Sequence, residues 1–189
     1  MNNNELTKDE LISFFSDGCK EKKKWRIGTE HEKFGFRKKT LEPIRYSDIE
    51  QILTKLSLKF GWKRKFEEKK IIGLKRNNSS ISLEPGGQIE LSGAPLENLF
   101  ETCIEVNSHQ DELNSVCEEL DIDFMGMGVL PKWSRNDMSL MPKKRYKIMS
   151  KYMPSVGSEG LDMMLRTCTI QANFDFSSEQ DMKKKIIVS

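Results

Sequence analysis

The stretch Arg26-Ile27-Gly28-Thr29-Glu30-His31-Glu32-Lys33-Phe34-Gly35-Phe36 decides how the rest of the chain is interpreted. Its alternate positions carry Glu30, Glu32, Phe34 and Phe36. Side chains two residues apart on a β-strand point to the same face of the sheet. Glu30 and Glu32 would then stand about 7 Å apart along the strand. The stretch therefore predicts a strand with two neighbouring carboxylates.

Two carboxylates on one strand face repel each other unless they share a cation or a network of hydrogen-bond donors. Mg²⁺ is the natural partner, because it is a hard ion that prefers oxygen ligands and often lies between carboxylates and phosphates. An exposed edge strand with two solvated glutamates fits the same spacing. The stretch by itself leaves both interpretations open.

A second informative stretch covers residues 80–92, where Pro85-Gly86-Gly87 indicates a turn or bulge between two alternating segments. If Glu84 and Gln88 face each other across that turn, they share a face with Glu90. The opposite face would hold the apolar residues Ile81, Leu83, Ile89 and Leu91. Four glutamates converging on one face would need divalent cations or raised pKa values.

Composition and charge limit the class of protein. Of the 189 residues, 32% are charged and 37% hydrophobic, which is typical of a globular domain or part of one. The net charge of +2 gives no case for a nucleic-acid partner. No apolar run approaches the ~20 residues of a membrane span, so no membrane partner is predicted.

Residues 1–5 have neither a basic start nor an apolar core, so no secretory signal is expected. The four cysteines, Cys19, Cys103, Cys117 and Cys168, form no C-x-x-C pair and show no zinc spacing. Without an export signal, reduced thiols are the default. We therefore expect a cytoplasmic protein.

Hydrophobic periodicity and turn residues predict helices and strands along the chain. Helices are expected over 6–17, from Ser47 to Phe60, over 97–120, from Pro142 onward and after Ser178. The first should have a capping box at Thr7 and Glu10. The second should have Ser47 as its N-cap and one apolar face, formed by Ile49, Ile52, Leu53 and Leu56. Strands are expected over 25–36, 62–66, 71–75, on both sides of the turn in 80–92, over 122–130 and over 165–176. In the helix over 97–120, Cys103 and Cys117 fall at apolar positions, which predicts buried, inert thiols, whereas His109 is expected at the surface or half-buried.

Two further segments are candidates for ligand contacts. The helix after Pro142 carries Lys143, Lys144, Arg145 and Lys147 on one side. This is either a solvated basic face or an anion site, with Arg145 the best candidate because a guanidinium binds carboxylates at two points. Between 165 and 176, polar residues recur at alternate positions, which indicates the wall of a cavity or an ordinary solvent-facing strand.

No G-x-x-x-x-G-K-[ST] or G-x-G-x-x-G motif is present in the sequence. A nucleotide would therefore be held through metal ions and basic side chains.

Several stretches, taken in order, resemble the glutamate–cysteine ligase family in its plant and proteobacterial form. They are residues 25–36, 81–95, 126–128, 152–154 and 163–173. The resemblance runs from about residue 11 to residue 185. The glycine-flanked glutamate motifs around Glu30 and Glu84 are its most specific part.

The resemblance implies an activity and a fold. The family joins the γ-carboxylate of L-glutamate to L-cysteine with ATP and Mg²⁺, through a γ-glutamyl phosphate, in the first step of glutathione biosynthesis. The implied fold class is α+β, with a curved antiparallel sheet whose inner face forms a funnel and with helices outside, as in the catalytic part of glutamine synthetase. The implied partners are small molecules; the oligomeric state is left open.

The resemblance also implies roles for individual residues. Glu30 and Glu32 would act in catalysis and, with Glu84 and Glu90, hold Mg²⁺. Gln171 and Asn173 would line the nucleotide side of the funnel. Arg145 and Arg166 would bind a substrate carboxylate or phosphate during catalysis.

Family members are usually more than twice as long as this chain. Residues 1–189 are therefore expected to be the N-terminal part of a single catalytic domain, inactive on its own. A non-catalytic module that binds Mg²⁺ or a nucleotide is the alternative. A third interpretation is a solvated carboxylate sheet with no ligand.

Overall fold

The computed structural model describes residues 6–189, which form six α-helices and seven β-strands within that range. The helices are α1 (Lys8–Asp17), α2 (Tyr46–Phe60), α3 (Leu99–Cys117), α4 (Lys144–Val156), α5 (Gly160–Arg166) and α6 (Glu179–Val188). The strands are β1 (Ile27–Arg37), β2 (Lys63–Glu67), β3 (Lys70–Arg76), β4 (Ser79–Leu83), β5 (Ile89–Ser92), β6 (Ile122–Met125) and β7 (Ile170–Phe174). The prediction about a secretory signal concerns residues 1–5, which lie outside the described residues.

A single antiparallel sheet organises the fold. Its strands follow the order β2-β3-β4-β5-β1-β6, and β7 also pairs with β1. The N-terminal half of β1 lies between β5 and β7, and its C-terminal half pairs with β6. The expected α+β class with an antiparallel sheet is confirmed, and the sheet is open. None of the helices within 6–189 combines the length and apolar character that crossing a membrane requires.

Helices α2 and α3 cover one face of the sheet and enclose the main core. The predicted apolar stripe of α2 is fully buried there, at Ile49, Ile52, Leu53 and Leu56. The sheet contributes the apolar residues predicted for one face of 80–92, namely Ile81, Leu83, Ile89 and Leu91. Because side chains alternate along a strand, the glutamates of the same strands must lie on the other face.

The start of α2 differs from the prediction. Arg45, not Ser47, is the residue at the N-cap. The Asp48 carboxylate accepts a hydrogen bond from the Arg45 backbone N–H at 2.9 Å and another from the Arg37 guanidinium at 2.6 Å. A carboxylate in the first turn satisfies a free amide and interacts favourably with the helix dipole, so the helix begins earlier than a serine cap predicts.

The predicted strand over 165–176 is only partly correct. Residues up to Arg166 belong to α5, and the strand is confined to Ile170–Phe174. The side-chain amide of Gln88 donates to the carbonyls of Met164 and Thr167, at 3.4 and 2.8 Å. These contacts tie the end of α5 to the 80–92 turn, where Leu165 also packs against Gly86. An alternating sequence pattern does not reveal such long-range contacts. The strand predicted over 122–130 likewise ends early, at Met125.

The predicted environments of two residues on α3 are wrong. Cys103 is exposed, and His109 is only 2% exposed. The helix turns the row Thr102, His109, Leu113 and Val116 toward the sheet, so Cys103 lies outside the buried face. The prediction for Cys117 is confirmed, because that thiol is buried and burial raises its pKa to about 12.

Candidate functional site

The glutamates of three sequence segments meet on the sheet face opposite α2 and α3. Glu32 of β1 lies directly across from Glu90 of β5, and Glu90 lies across from Ser82 of β4. Directly opposed residues of antiparallel strands share a face. Glu84 follows β4 at the start of the tight turn, where its backbone N–H donates to the Gln88 carbonyl at 2.9 Å. The register of three strands thus places Glu32, Glu84 and Glu90 together.

Carboxylate oxygens of Glu32, Glu84 and Glu90 all lie within 4.8 Å of one another. We call these three residues the carboxylate cluster. Among the described residues, it is the group whose spacing suits a metal ion. The prediction that Glu84 and Glu90 share a face is confirmed, and Glu32 joins them from the opening stretch.

Burial and mutual repulsion perturb the cluster. Burial raises the pKa of Glu32, and the charges of Glu84, Glu90 and Glu30 raise it further, against a hydrogen bond from the Thr169 N–H. Burial also raises the pKa of Glu90, as do the charges of Glu84 and Glu30, whereas the Ser92 hydroxyl lowers it. Two neighbouring carboxylates with raised pKa values, Glu32 and Glu90, would be stabilised in their charged form by a bound cation.

Two serines orient the cluster. The Ser82 hydroxyl donates to Glu84 at 2.9 Å and lies 3.4 Å from a Glu90 oxygen. The Ser92 hydroxyl donates to Glu90 at 2.6 Å. Sequence reasoning missed both residues. The signal was present, because each serine lies two positions from a glutamate of the cluster and therefore on the same strand face.

Glu30 is separate from the carboxylate cluster. Its carboxylate accepts hydrogen bonds from Asn173 at 2.9 Å and from Gln171 at 3.2 Å. Gln171 lies directly across from Glu30 in the β1–β7 ladder. Glu30, Gln171 and Asn173 therefore form one polar wall. Glu32, the other member of the predicted pair, belongs instead to the carboxylate cluster.

Helix α4 supplies the basic side of the site. A guanidinium nitrogen of Arg145 lies 3.5 Å from Glu84 and donates to the Tyr146 hydroxyl at 2.8 Å. Tyr146 is buried, and its hydroxyl donates to the Leu83 carbonyl at 2.5 Å. The Arg145 side chain is 61% exposed, so it retains donors for a ligand. Arg145, the predicted anion-binding residue of this helix, thus lies beside the carboxylate cluster.

Lys143 lies next to the site, although the sequence pattern predicts it only as part of a basic helix face. It is 7% exposed, and its ammonium donates to the Leu83 carbonyl at 2.6 Å and lies 3.2 Å from the Tyr146 hydroxyl. Burial lowers the pKa of Lys143 to about 8, against the opposing charges of Glu84 and Glu90. Lys143 thus supports the base of the site rather than facing solvent.

Arg166 lies away from the carboxylate cluster. Its guanidinium pairs with Asp162 at 2.8 Å and donates to the Leu130 carbonyl at 2.9 Å. The predicted strand would have pointed it along the polar face, whereas α5 turns it toward Asp162. Arg135 pairs with the same carboxylate.

A cleft of about 330 Å³ opens over the carboxylate cluster. Its lining combines charged groups with methionines, and comprises Glu32, Glu84, Pro85, Gln88, Arg145, Tyr146, Met149, Met163, Met164, Thr167 and Thr169. Arg166 is not among these residues. The cleft therefore joins the carboxylates and the Arg145 guanidinium in one space that is open to a small molecule.

The cluster fits a hard divalent cation. Mg²⁺ binds oxygens at about 2.1 Å, so oxygens on opposite sides of one ion lie about 4.2 Å apart. The oxygens of Glu32, Glu84 and Glu90 lie within 4.8 Å and need to close only slightly. All three donors are carboxylates, which are the ligands that this ion prefers.

Most of this chain matches the model of a known protein family. The family model of glutamate-cysteine ligase family 2 matches residues 26–188. The chain belongs to the glutamate-cysteine ligase family. The match includes the carboxylate cluster, the wall formed by Glu30, Gln171 and Asn173, and Arg145. The resemblance drawn from the glutamate motifs is confirmed, and the protein's family is one of ligases.

Named relatives in this family share most of the chain's sequence. The chloroplastic glutamate–cysteine ligase of Brassica juncea is 59% identical over 95% of this chain and 35% of its own length. The chloroplastic enzyme A of Oryza sativa subsp. japonica is 59% identical over 95% of this chain and 37% of its own. The Arabidopsis thaliana enzyme is 58% identical over 95% and 34%. The chain thus spans about a third of the length of these relatives.

The relatives also correct one expectation. The glutamate–cysteine ligases of Brassica juncea, Oryza sativa, Medicago truncatula and Arabidopsis thaliana are named chloroplastic. The predicted cytoplasmic location is therefore wrong. It rested on the lack of an export signal and on cysteine usage, and neither feature reports on import into an organelle.

Proposed function

We propose that residues 1–189 are the N-terminal part of a single catalytic domain of an ATP- and Mg²⁺-dependent glutamate–cysteine ligase. The whole enzyme would join the γ-carboxylate of L-glutamate to the amine of L-cysteine, the first step of glutathione biosynthesis. The observation that carries the proposal is the convergence of Glu32, Glu84 and Glu90 within 4.8 Å, in a chain of this family. The open antiparallel sheet with a polar inner face supports a glutamine-synthetase-like funnel.

In this proposal the glutamate γ-carboxylate attacks the γ-phosphorus of ATP, and ADP leaves with the electrons of the broken P–O bond. The cysteine amine then attacks the acyl carbon of the γ-glutamyl phosphate, the bond between that carbon and the phosphate oxygen breaks, and the amine releases a proton to solvent as the amide bond forms. Mg²⁺ held by Glu32, Glu84 and Glu90 would neutralise charge on the transferring phosphoryl group.

The chain's own residues would bind and orient the reactants. Arg145, next to Glu84, would position a carboxylate or phosphate in the cleft through charge-assisted hydrogen bonds. Gln171 and Asn173 hold the Glu30 carboxylate and would face the nucleotide side. Ser82 and Ser92 fix the carboxylate rotamers, which lowers the cost of organising the cluster for a cation.

Titration calorimetry with Mg²⁺ tests the carboxylate cluster. Glu32→Gln and Glu90→Gln should each weaken binding at least about tenfold, because each removes an anionic ligand. Glu118→Gln is the matched control. Glu118 is exposed and directly follows α3, which covers the sheet face opposite the carboxylate cluster, so this variant should bind Mg²⁺ as the wild type does.

The pH dependence of Mg²⁺ affinity gives a second test of the carboxylate cluster. Because burial and neighbouring charges raise the pKa values of Glu32 and Glu90, protons compete with the cation, and affinity should rise with pH above the ordinary carboxyl range. Equal Mg²⁺ affinity for Glu32→Gln and Glu118→Gln would contradict the proposed metal role.

A further inference from the structure

The peptide unit between Leu83 and Glu84 is held from both sides. Its carbonyl accepts hydrogen bonds from the Lys143 ammonium at 2.6 Å and from the Tyr146 hydroxyl at 2.5 Å. Its N–H, which belongs to Glu84, donates to the Gln88 carbonyl at 2.9 Å. Both polar atoms of this peptide unit are therefore engaged. Its orientation sets the direction in which the Glu84 side chain leaves the backbone.

The peptide unit that follows Glu84 is anchored to the same part of the chain. The Pro85 carbonyl accepts a hydrogen bond from the Met141 N–H at 2.9 Å. The Met141 carbonyl in turn accepts one from the Lys143 N–H, also at 2.9 Å. The segment 141–146 thus holds the backbone on both sides of a residue of the carboxylate cluster.

The buried ammonium of Lys143 is stabilised by the charge of the cluster. Burial lowers the pKa of Lys143 to about 8, and the charges of Glu84 and Glu90 act in the opposite direction, so the group stays charged at neutral pH. Its hydrogen bonds go to the Leu83 carbonyl and the Tyr146 hydroxyl rather than to the carboxylate oxygens that would bind a cation. Lys143 therefore contacts the backbone beneath the cluster.

The Tyr146 hydroxyl links Lys143 to the cleft. It lies 3.2 Å from the Lys143 nitrogen and 3.2 Å from a Glu84 oxygen, and it accepts a hydrogen bond from Arg145 at 2.8 Å. Tyr146 is buried, so packing fixes the position of its ring. One hydroxyl thus joins Lys143 and Arg145 in a network that ends at a carboxylate of the cluster.

We propose that Lys143 is a positioning residue for the metal site: together with Tyr146 it holds the Leu83 carbonyl, so that Glu84 is directed at the cation. The inference rests on the proposed function, because Glu84 needs a fixed direction for this purpose only if the cluster binds a cation. Lys143 itself contacts neither the cation nor a substrate. Groups that orient metal ligands typically contribute about 10- to 100-fold to metal affinity.

The charge of Lys143 and its positioning role have opposite effects on Mg²⁺ affinity. An ammonium close to the cluster repels a divalent cation, so a variant that lost only this charge would bind Mg²⁺ more tightly. A variant in which Glu84 is no longer held would bind Mg²⁺ more weakly. The direction of the change therefore distinguishes the two roles.

Titration calorimetry of the 189-residue chain with Mg²⁺ at neutral pH tests the proposal. Lys143→Met should weaken Mg²⁺ binding at least about fivefold. Tyr146→Phe keeps the ring and the net charge, and it should weaken binding in the same direction. Lys151→Met is the matched control: Lys151 is exposed on the same helix and does not line the cleft, so this variant should bind like the wild type.

A double variant tests whether Lys143 and Tyr146 act through one carbonyl. The Mg²⁺ affinity lost in Lys143→Met/Tyr146→Phe should be smaller than the product of the two single losses. A loss equal to that product would show that the two residues act separately and would contradict the proposal. Circular dichroism establishes that each variant is folded at the titration temperature. If Lys143→Met does not fold, wild-type affinity in Tyr146→Phe overturns the proposal.

The same titrations separate this role from the proposed function. Unchanged or tighter Mg²⁺ binding by Lys143→Met would overturn the positioning role, as would equal losses in Lys143→Met and Lys151→Met. If Glu32→Gln loses Mg²⁺ affinity while Lys143→Met keeps it, the positioning role is wrong and the metal site stands. If the wild type binds no Mg²⁺, the proposed metal site is wrong and the positioning role is overturned with it.

Discussion

His109 shows how burial, more than any neighbouring charge, sets the charge of a residue in this fold. It is 2% exposed, and its Nδ1 atom is buried without a hydrogen-bond partner. Burial, helped by the charges of Lys33, His31 and Arg76, lowers the pKa of His109 to about 3. The imidazole is therefore neutral in the folded state throughout the neutral range.

This pKa predicts a specific dependence of stability on pH. Below the ordinary histidine value the unfolded chain binds a proton that the folded chain does not bind, so stability falls as pH decreases toward 3. Between about pH 6.5 and about pH 4.5, the free energy of unfolding of the wild type should fall about 2 kcal/mol more than that of His109→Leu.

Urea denaturation at several pH values measures this difference. Asn107→Leu, exposed on the same helix, is the control and should keep the wild-type pH dependence. Parallel pH profiles for His109→Leu and the wild type would show that His109 is protonated in the folded state as easily as in the unfolded chain.

At the scale of single elements, the end of α2 depends on one backbone conformation. Gly61 has a φ of 72°, in the left-handed region, and its N–H donates to the Ser57 carbonyl at the end of the helix. A Cβ there would meet no atom within 4 Å. The whole cost of a side chain at this position is therefore backbone strain.

Gly61→Ala should lower the free energy of unfolding by about 1 kcal/mol. Gly128→Ala is the matched control: a Cβ there also meets nothing within 4 Å, and Gly128 has no positive φ. Thermal denaturation should show a lower midpoint for Gly61→Ala only. Equal midpoints for the two variants would mean that α2 ends without need of the left-handed residue.

Helix α1 shows what periodicity reveals about an element and what it does not. The predicted capping box is present, since Thr7 accepts from the Glu10 N–H and Glu10 accepts from the Thr7 N–H. No residue of α1 is buried, and Phe14 is 77% exposed. An apolar stripe is a local property of the helix, whereas its burial requires another element to lie against it.

For the molecule as a whole, activity is expected to require more than this chain. The chain spans about a third of the length of its named relatives. The family resemblance implies further strands, glutamates and arginines that complete the funnel. Purified 189-residue protein given L-glutamate, L-cysteine and Mg-ATP should therefore show no sustained cysteine-dependent release of ADP.

A coupled ADP assay measures this directly. A full-length plant glutamate–cysteine ligase assayed in parallel is the positive control. Steady ADP release by the 189-residue chain, increasing with cysteine, would contradict the expectation. Binding of Mg-ATP without turnover would fit either a partial catalytic site or a module that only binds the nucleotide. The Glu32→Gln and Glu90→Gln variants would then show whether the carboxylate cluster provides the contacts.

The sequence by itself determined the features that depend on local geometry. The two-residue period of a strand put Ile81, Leu83, Ile89 and Leu91 in the core and Glu84 and Glu90 on the other face. The helical period identified the buried stripe of α2. These assignments need only the backbone conformation of one segment, so neighbouring residues contain the information.

Only the tertiary structure decided which of these groups meet. The strand register placed Glu32 with Glu84 and Glu90, and left Glu30 with Gln171 and Asn173. The Gln88 amide bonded a carbonyl 79 residues away, and Arg166 turned to Asp162 within α5. The helix packing that buries His109 and exposes Cys103 is likewise long-range. Such contacts depend on how distant segments dock, and the residue order within either segment does not specify that arrangement.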